Sequence, residues 1–260
     1  MYVDHESGTT RWRIASALLA TCLLLTAACT PEGEPEPRMT LVIGIDVSGS
    51  FQSTGNYNDA LRFAAHYIYG HLNGLGELEK PAVLFVGSIG GDQPGEVKSF
   101  QPIHAFQGKT VDEIDADLHG WFPSGEALTD FNPFFERVST FVKRQNLVLK
   151  PLTLVIISDG VPDVRSSAGG EDDRYSRISL EPLEFLSRRV TIRLLYPSPT
   201  VADRWEKEVP RRRVRMWTQD HEVMRGWRNE ITLGLDVDQQ EKLWTWIDDN
   251  VDHRTSRRIF

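Results

Sequence analysis

The sequence predicts an α/β domain, a doubly wound and mostly parallel sheet of about six strands with helices on both faces. Three observations point there. Apolar runs at 41–46, 81–89, 152–157 and 190–196 are continuous rather than alternating, the pattern of strands buried on both faces. Stretches with apolar residues at helical spacing lie between them. Asp46 closes the first run and Asp159 follows the third. In such sheets ligands bind beyond the carboxyl ends of the strands.

Each element has its own signal. After the strand at 41–46, Leu61, Ala64, Ala65, Ile68, Leu72 and Leu75 recur at helical spacing, with Asn58 or Asp59 as cap. A second buried strand spans 81–89, a less apolar edge strand 99–106, and a weak helix 111–118. Phe131, Phe134, Phe135, Val138, Phe141 and Val142 form a helical stripe, with Asn132 as cap and Pro133 as first helical residue. The strand at 152–157 leads through a polar loop to about Tyr175. Then come a helix near 180–189, a strand at 190–196, a short helix at 202–208 and a strand at 214–217. The last helix opens on Asp238-Gln239-Gln240-Glu241, a capping-box pattern, and buries Leu243, Trp246, Ile247 and Val251.

The 260 residues are 40% hydrophobic and 25% charged, as for one sizeable globular domain. A net charge of -8 gives no basis for general nucleic-acid binding. Residues 11–28 stand apart. Arg11 and Arg13 precede an apolar run interrupted by Ser16, Thr21 and Thr26, and small residues close it. That order reads as a secretory signal, and the run is short for a membrane span. Of the two cysteines, Cys22 lies inside the run and Cys29 directly after Ala27-Ala28. Small residues before a Cys at that place resemble the lipobox of bacterial lipoproteins. The resemblance implies cleavage after residue 28 and lipid on Cys29, although Thr26 stands where Leu is commoner; a plain signal with an incidental Cys is the alternative. The mature chain then has one cysteine and no internal disulfide, so its core must hold it. Pro and Glu dominate 30–37, an extended tether within 29–39, and the domain proper runs from 40 to 260. Thr30 rather than Asp after Cys29 points to the outer membrane, facing the periplasm, in a cell that has one.

Three segments carry the chemistry. Asp46-Val47-Ser48-Gly49-Ser50 follows the first buried strand, Thr129-Asp130 closes a Gly-containing loop before the Phe-rich helix, and Ser158-Asp159-Gly160 follows the third strand. They offer oxygens without nitrogen or sulfur, the donor set of hard divalent cations. Asp-x-Ser-Gly-Ser, then Thr, then Ser-Asp-Gly, each at the end of its element, resembles the metal-ion-dependent adhesion site of the von Willebrand factor type A (VWA) domain. The resemblance runs over about residues 40 to 250 and is less distinctive in the last third. It implies that Ser48, Ser50 and Thr129 offer hydroxyls to Mg2+, with Mn2+ and Ca2+ as alternatives. Asp46 and Asp159 would bind the ion directly or through water. Mg2+ keeps waters, so one position is open to an incoming group; in this family that group is commonly a carboxylate of a partner protein. Thr-Asp before a helix is also an ordinary start signal, and Asp130 and Asp163 read as caps or turn residues.

Other candidates are weaker. His66 and His71 are five apart and do not share a helix face. No Cys nucleophile, Gly-x-Ser-x-Gly elbow or Walker loop is present. Arg211-Arg212-Arg213-Val214-Arg215 reads as a guarded, solvated strand, with contact to anionic lipid as the alternative. The leading expectation is a membrane-tethered, non-enzymatic binding module for a protein ligand. A Mg2+-dependent phosphohydrolase or ATPase using Asp46 is one alternative, although the chain is short for the two-domain ATPase folds with a similar first loop. A metal-independent scaffold, insensitive to EDTA, is the other. Nothing in the sequence sets an oligomeric state.

Overall fold

The apolar runs become the strands of one sheet. In a computed structural model, which describes residues 37–90, 100–123, 125, 128–163, 173–187 and 189–252, five strands run parallel. They are β1 (Thr40–Asp46), β2 (Val83–Ile89), β4 (Leu152–Ile157), β5 (Val190–Leu195) and β6 (Val214–Gln219). The two-residue β3 (Gln101–Pro102) pairs antiparallel with β2. The expected edge strand at 99–106 is that short because Pro102 offers no N–H to a ladder and Ile103–Ala105 turns into a 3-10 helix. Residues 1–36, with the expected signal, Cys29 and most of the expected tether, lie outside the described residues.

The strand order is β3-β2-β1-β4-β5-β6. The chain builds outward from β1 on one side, then returns to lay β4 against the other side of β1. The order therefore reverses between β1 and β4, and the carboxyl ends of that pair frame the crevice where doubly wound sheets bind ligands.

One face of the sheet is covered by α1 (Gly49–Ser53), α2 (Tyr57–Asn73), α3 (Val111–Trp121) and, later in the chain, α7 (His221–Met224) and α8 (Glu241–Ile247). The other carries α4 (Phe131–Arg144), α5 (Glu181–Glu184) and α6 (Pro199–Glu208). Alternation in β1 feeds both layers: Leu41, Ile43 and Ile45 face the first, Val42 the second, and all are buried. Each such side chain contributes about 1.5–3 kcal/mol by leaving water. Met39, in the expected tether, is buried in the first layer, so domain packing begins just before β1. Gly44 is required by close approach: a Cβ there would lie 2.5 Å from the Phe134 ring. Its bare backbone lets α4 settle directly on β1, which fixes the segment leading into α4.

Several helix ends differ from expectation. The cap of α4 is Asp130, whose carboxylate accepts from the Asn132 N–H at 3.1 Å; Asn132 is already helical and bonds the 177–179 loop instead. The cap position of α2 is Asn56, and Asp59 in its first turn accepts from Tyr196 and Trp227 and pairs with Arg228. The capping box at 238–241 does not form. Gln240 uses its side chain to accept from the Thr232 N–H and donate to the carbonyls of Thr232 and Leu235, tying down the loop before α8. The helix expected over 180–189 closes after one turn. His66 and His71 are buried on α2, and Trp205, Trp227 and Trp244 are core residues.

Candidate metal centre

Five oxygen-bearing residues named from the sequence meet at the carboxyl ends of β1 and β4. Asp46 is the last residue of β1 and fully buried. Its Oδ1 accepts from the Ser48 N–H at 2.9 Å, a local turn that stops the strand and swings the chain into α1. Ser48 then caps α1, accepting from the Phe51 N–H at 3.3 Å. The Ser48 and Ser50 hydroxyls lie 3.0 Å apart. Thr129 is fully buried and donates toward both oxygens of Asp46 at 3.4 Å. Asp159, after β4, accepts from the Val161 N–H at 3.0 Å and from the Ser50 hydroxyl. The described part of each of the three expected segments reaches this point.

Two residues outside the expected set hold it in place. The Ser158 hydroxyl donates to Asp46 Oδ2 at 2.5 Å and accepts from the Gly160 N–H at 2.8 Å. It thereby fixes the Asp46 carboxylate and the turn carrying Asp159 at once. Asp163 accepts from the Thr129 N–H at 2.8 Å, and its own N–H donates to the Thr129 carbonyl at 2.9 Å. This reciprocal pair clamps the second loop to the third. Asp130 is the cap expected of it, whereas Asp163, expected as a cap or turn residue, makes this tertiary pair instead. Ser158 was visible as part of Ser-Asp-Gly, but nothing in the sequence said its hydroxyl would point at β1. Gln52 adds a further tie, donating to the carbonyls of Val47 and Gly125. Ser124, Glu126 and Ala127 of the second loop lie outside the described residues.

The electrostatics follow from burial. Loss of water pushes the Asp46 carboxyl up to about 6; Asp159 adds repulsion, while the Ser158 and Ser48 hydrogen bonds pull the other way. Asp159 is also raised, by burial first and then by Asp163. No Lys or Arg among the described residues pairs with either carboxylate. Two buried acids face each other beside three hydroxyls, with no cation to offset them. An all-oxygen set with this deficit of positive charge fits a hard divalent cation. Among the described residues no group of three His, Cys, Asp or Glu could hold a metal, because here hydroxyls supply most of the donors.

No family model matches the chain, and no curated protein is similar to it. Solved structures are. The chain is similar to proximal thread matrix protein 1 of the mussel byssus, at 13% identity over 78% of this chain and 46% of that one, TM-score 0.45. A form of the same mussel protein with a zinc-occupied MIDAS motif gives 15% identity over 73% and 44%, TM-score 0.39. The VWA domain of SpRpn10 gives 10% identity over 70% of this chain and 88% of that one, TM-score 0.37. The chain spans about half the length of the mussel protein. VWA domains are thus among the solved structures to which this chain is similar.

Proposed function

We propose that this chain is a VWA-type binding module that holds a divalent cation, Mg2+ first, and uses it to take a carboxylate from a protein ligand. One observation carries the reading. Asp46, Ser48, Ser50, Thr129 and Asp159 converge at the point where the strand order reverses, with two buried carboxylates and, among the described residues, no Lys or Arg paired with either. The bound ion would supply positive charge and an exchangeable position for an acidic group. The protein's part is positional. Ser158 orients Asp46, the α1 cap orients Ser48, and Asp163 holds the Thr129 backbone. We also propose that the module works outside the cytoplasm on a lipid carried by Cys29. The basic, apolar and small-residue order of 11–28 supports this.

The test is a thermal titration of the protein with Mg2+, Mn2+, Ca2+ and Zn2+, repeated with Asp46→Ala. A ligand at a hundred times its Kd stabilises by about 2.7 kcal/mol, which in a domain of this size raises the melting temperature by about 5–10 °C. We expect that rise in the parent and none in the variant; equal responses overturn the metal site. Capture of a partner from membranes should vanish with EDTA, and capture that survives EDTA supports the scaffold reading. Turnover of ATP or a phosphomonoester, lost in the variant, overturns the binding reading.

A further inference from the structure

The end of the sheet opposite the candidate metal centre carries cations and apolar side chains that the fold does not use. The register puts Val83, Thr40, Leu152, Val190 and Val214 in one row across five strands. The segments just before that row form this end. They are laced by backbone bonds from Leu149 to Leu186 at 2.8 Å, Leu152 to Arg189 at 3.0 Å and Thr40 to Pro151 at 2.8 Å.

Two side-chain types crowd there. Leu149 is 72% exposed and Phe185 70%, with Val148 beside them. Lys143 and Arg144 end α4; Lys150, Arg189, Arg212 and Arg213 stand at the strand starts, and all are exposed. None of these cations is in an ion pair with a described carboxylate, unlike Arg62, Lys109, Arg204, Lys207 and Arg228 elsewhere. The buried carboxylate nearby, Glu184, is taken by the Arg212 backbone N–H at 2.9 Å. Arg213 lies over the Phe185 ring at 5.8 Å. Leu149 has φ 80°, in the left-handed region that a Leu side chain resists. An apolar residue both exposed and strained is not explained by stability.

We propose that this end docks on an anionic lipid bilayer, with the cations among the headgroup phosphates and Leu149 and Phe185 at the boundary with the acyl chains. Charge argues for it: a chain of net charge -8 gathers these unpaired cations at one end. The apolar residues choose between anionic partners. Leu149 and Phe185 have nothing to offer a phosphodiester backbone, but an interface with acyl chains takes them from water. Position argues as well. The chain enters the domain through Pro37, Arg38 and Met39, next to Thr40 in the same row. A lipid on Cys29 would leave eight residues before Pro37, reaching at most about 28 Å, which keeps this end near the membrane. Only this last step rests on the lipid anchor proposed above.

The experiment separates the two. Lipid on Cys29 is read from the mass of the chain isolated from membranes of producing cells. Docking is read from the full chain carrying Cys29→Ala, sedimented with vesicles of phosphatidylcholine alone or mixed with phosphatidylglycerol. The segment 1–28, with its apolar run and with Arg11 and Arg13, binds vesicles on its own account; it is common to every variant, so docking is read from the difference between parent and variant on the same vesicles. The expected result is preference for the anionic vesicles, weakened by salt. Lys150→Glu with Arg212→Glu and Arg213→Glu should weaken that partition about a hundredfold, since each basic residue at an anionic surface is worth about fivefold. Leu149→Ser with Phe185→Ser should weaken it about tenfold at unchanged salt dependence. A cooperative thermal melt like that of the parent reports that each variant is folded. Equal partition of parent and triple variant overturns the proposal. So does binding to a DNA oligonucleotide that exceeds binding to the vesicles and is lost in the same variant.

Discussion

The two ends of the parallel strands break opposite rules. At the carboxyl end, Asp46, Ser48, Thr129 and Asp159 are polar and turned inward, against the cost of taking charge out of water. At the amino end, Leu149 and Phe185 are apolar and turned outward, beside cations that pair with no described carboxylate. Between the ends, β1 keeps both rules, with Leu41, Ile43 and Ile45 fully buried. Each exception costs stability where it sits, and each is what the functional reading of that end requires. On those two proposals the domain gives up stability at both ends of the strands, and the fully buried middle of the sheet offsets it.

The sharpest way to break this comparison is to remove one end and ask whether the other notices. Asp46→Ala should abolish the cation-induced rise in melting temperature and leave vesicle partition intact. The charge reversals at Lys150, Arg212 and Arg213 should do the converse. A variant that loses both properties would mean the ends are coupled through the sheet, and the picture of two independent sites would be wrong.

The metal-free protein offers the next largest effect. Asp46 has a carboxyl raised from 3.8 to about 6, so its folded state holds a proton that the unfolded chain has released. Its contribution to stability is fully present below pH 3.8 and is lost as pH rises to 6 and beyond. The loss is at most about 3 kcal/mol. Asp46→Asn cannot ionise. Above pH 6 and without metal it should therefore be more stable than the parent, by up to about 3 kcal/mol, while showing no cation response. Denaturant melts at pH 4 and pH 7.5 in EDTA measure this. A parent equally stable at both, relative to the variant, would mean that the buried carboxylate is not costly. The amino-end variants should leave this pH difference unchanged.

A smaller effect belongs to the loop that brings Thr129. Gly90 has φ 76°, and a Cβ there would lie 2.4 Å from the Leu128 carbonyl oxygen, a backbone atom that cannot move aside alone. Gly90→Ala should push the 128–129 backbone away from β1 and weaken cation binding about tenfold, or about 1.4 kcal/mol. Calorimetry with Mg2+ reads the change. Unchanged affinity would show that Thr129 is not a ligand, leaving its hydroxyl only the role of a donor to Asp46.

What was legible in the sequence follows from how locally it is encoded. The buried strands showed as continuous apolar runs, and Asp46, Ser48 and Ser50 lie within one turn, so both were readable. Thr129 and Asp159 were readable because a strand or helix boundary fixes where each stands. The hold of Ser158 on Asp46 is not legible in the sequence, because its target lies 112 positions away and a hydroxyl has no sequence signature of direction. The same limit explains the caps. Asp130 and Asn132 are equally good capping types; in the fold Asn132 is engaged by the 177–179 loop and Asp130 is left to cap α4. Gln240 likewise had tertiary partners that outcompeted a local capping box. The amino end was half visible: Arg211-Arg212-Arg213 showed as a basic run. Its apolar companions come from two other segments, 148–150 and 185–187, that the sheet register brings beside it.

The finest prediction concerns Leu149, where strain and proposed function share one residue. A non-glycine residue in the left-handed region costs about 1–2 kcal/mol, and glycine takes that conformation freely. Glycine also gives the unfolded chain more freedom, which offsets about 0.5–1 kcal/mol of the gain. Leu149→Gly should therefore raise stability by about 0.5–1 kcal/mol, or about 1–4 °C in melting temperature. It also removes a side chain 72% exposed to water, so no core contact is given up. The same change should weaken partition onto anionic vesicles severalfold, because the leucine is the larger part of what the loop could insert. A gain in stability with a loss of partition is the signature of a residue kept for the surface it meets. A loss of stability instead would mean that Leu149 supports the 185–187 segment, and the apolar contribution at that end would rest on Phe185 and Val148.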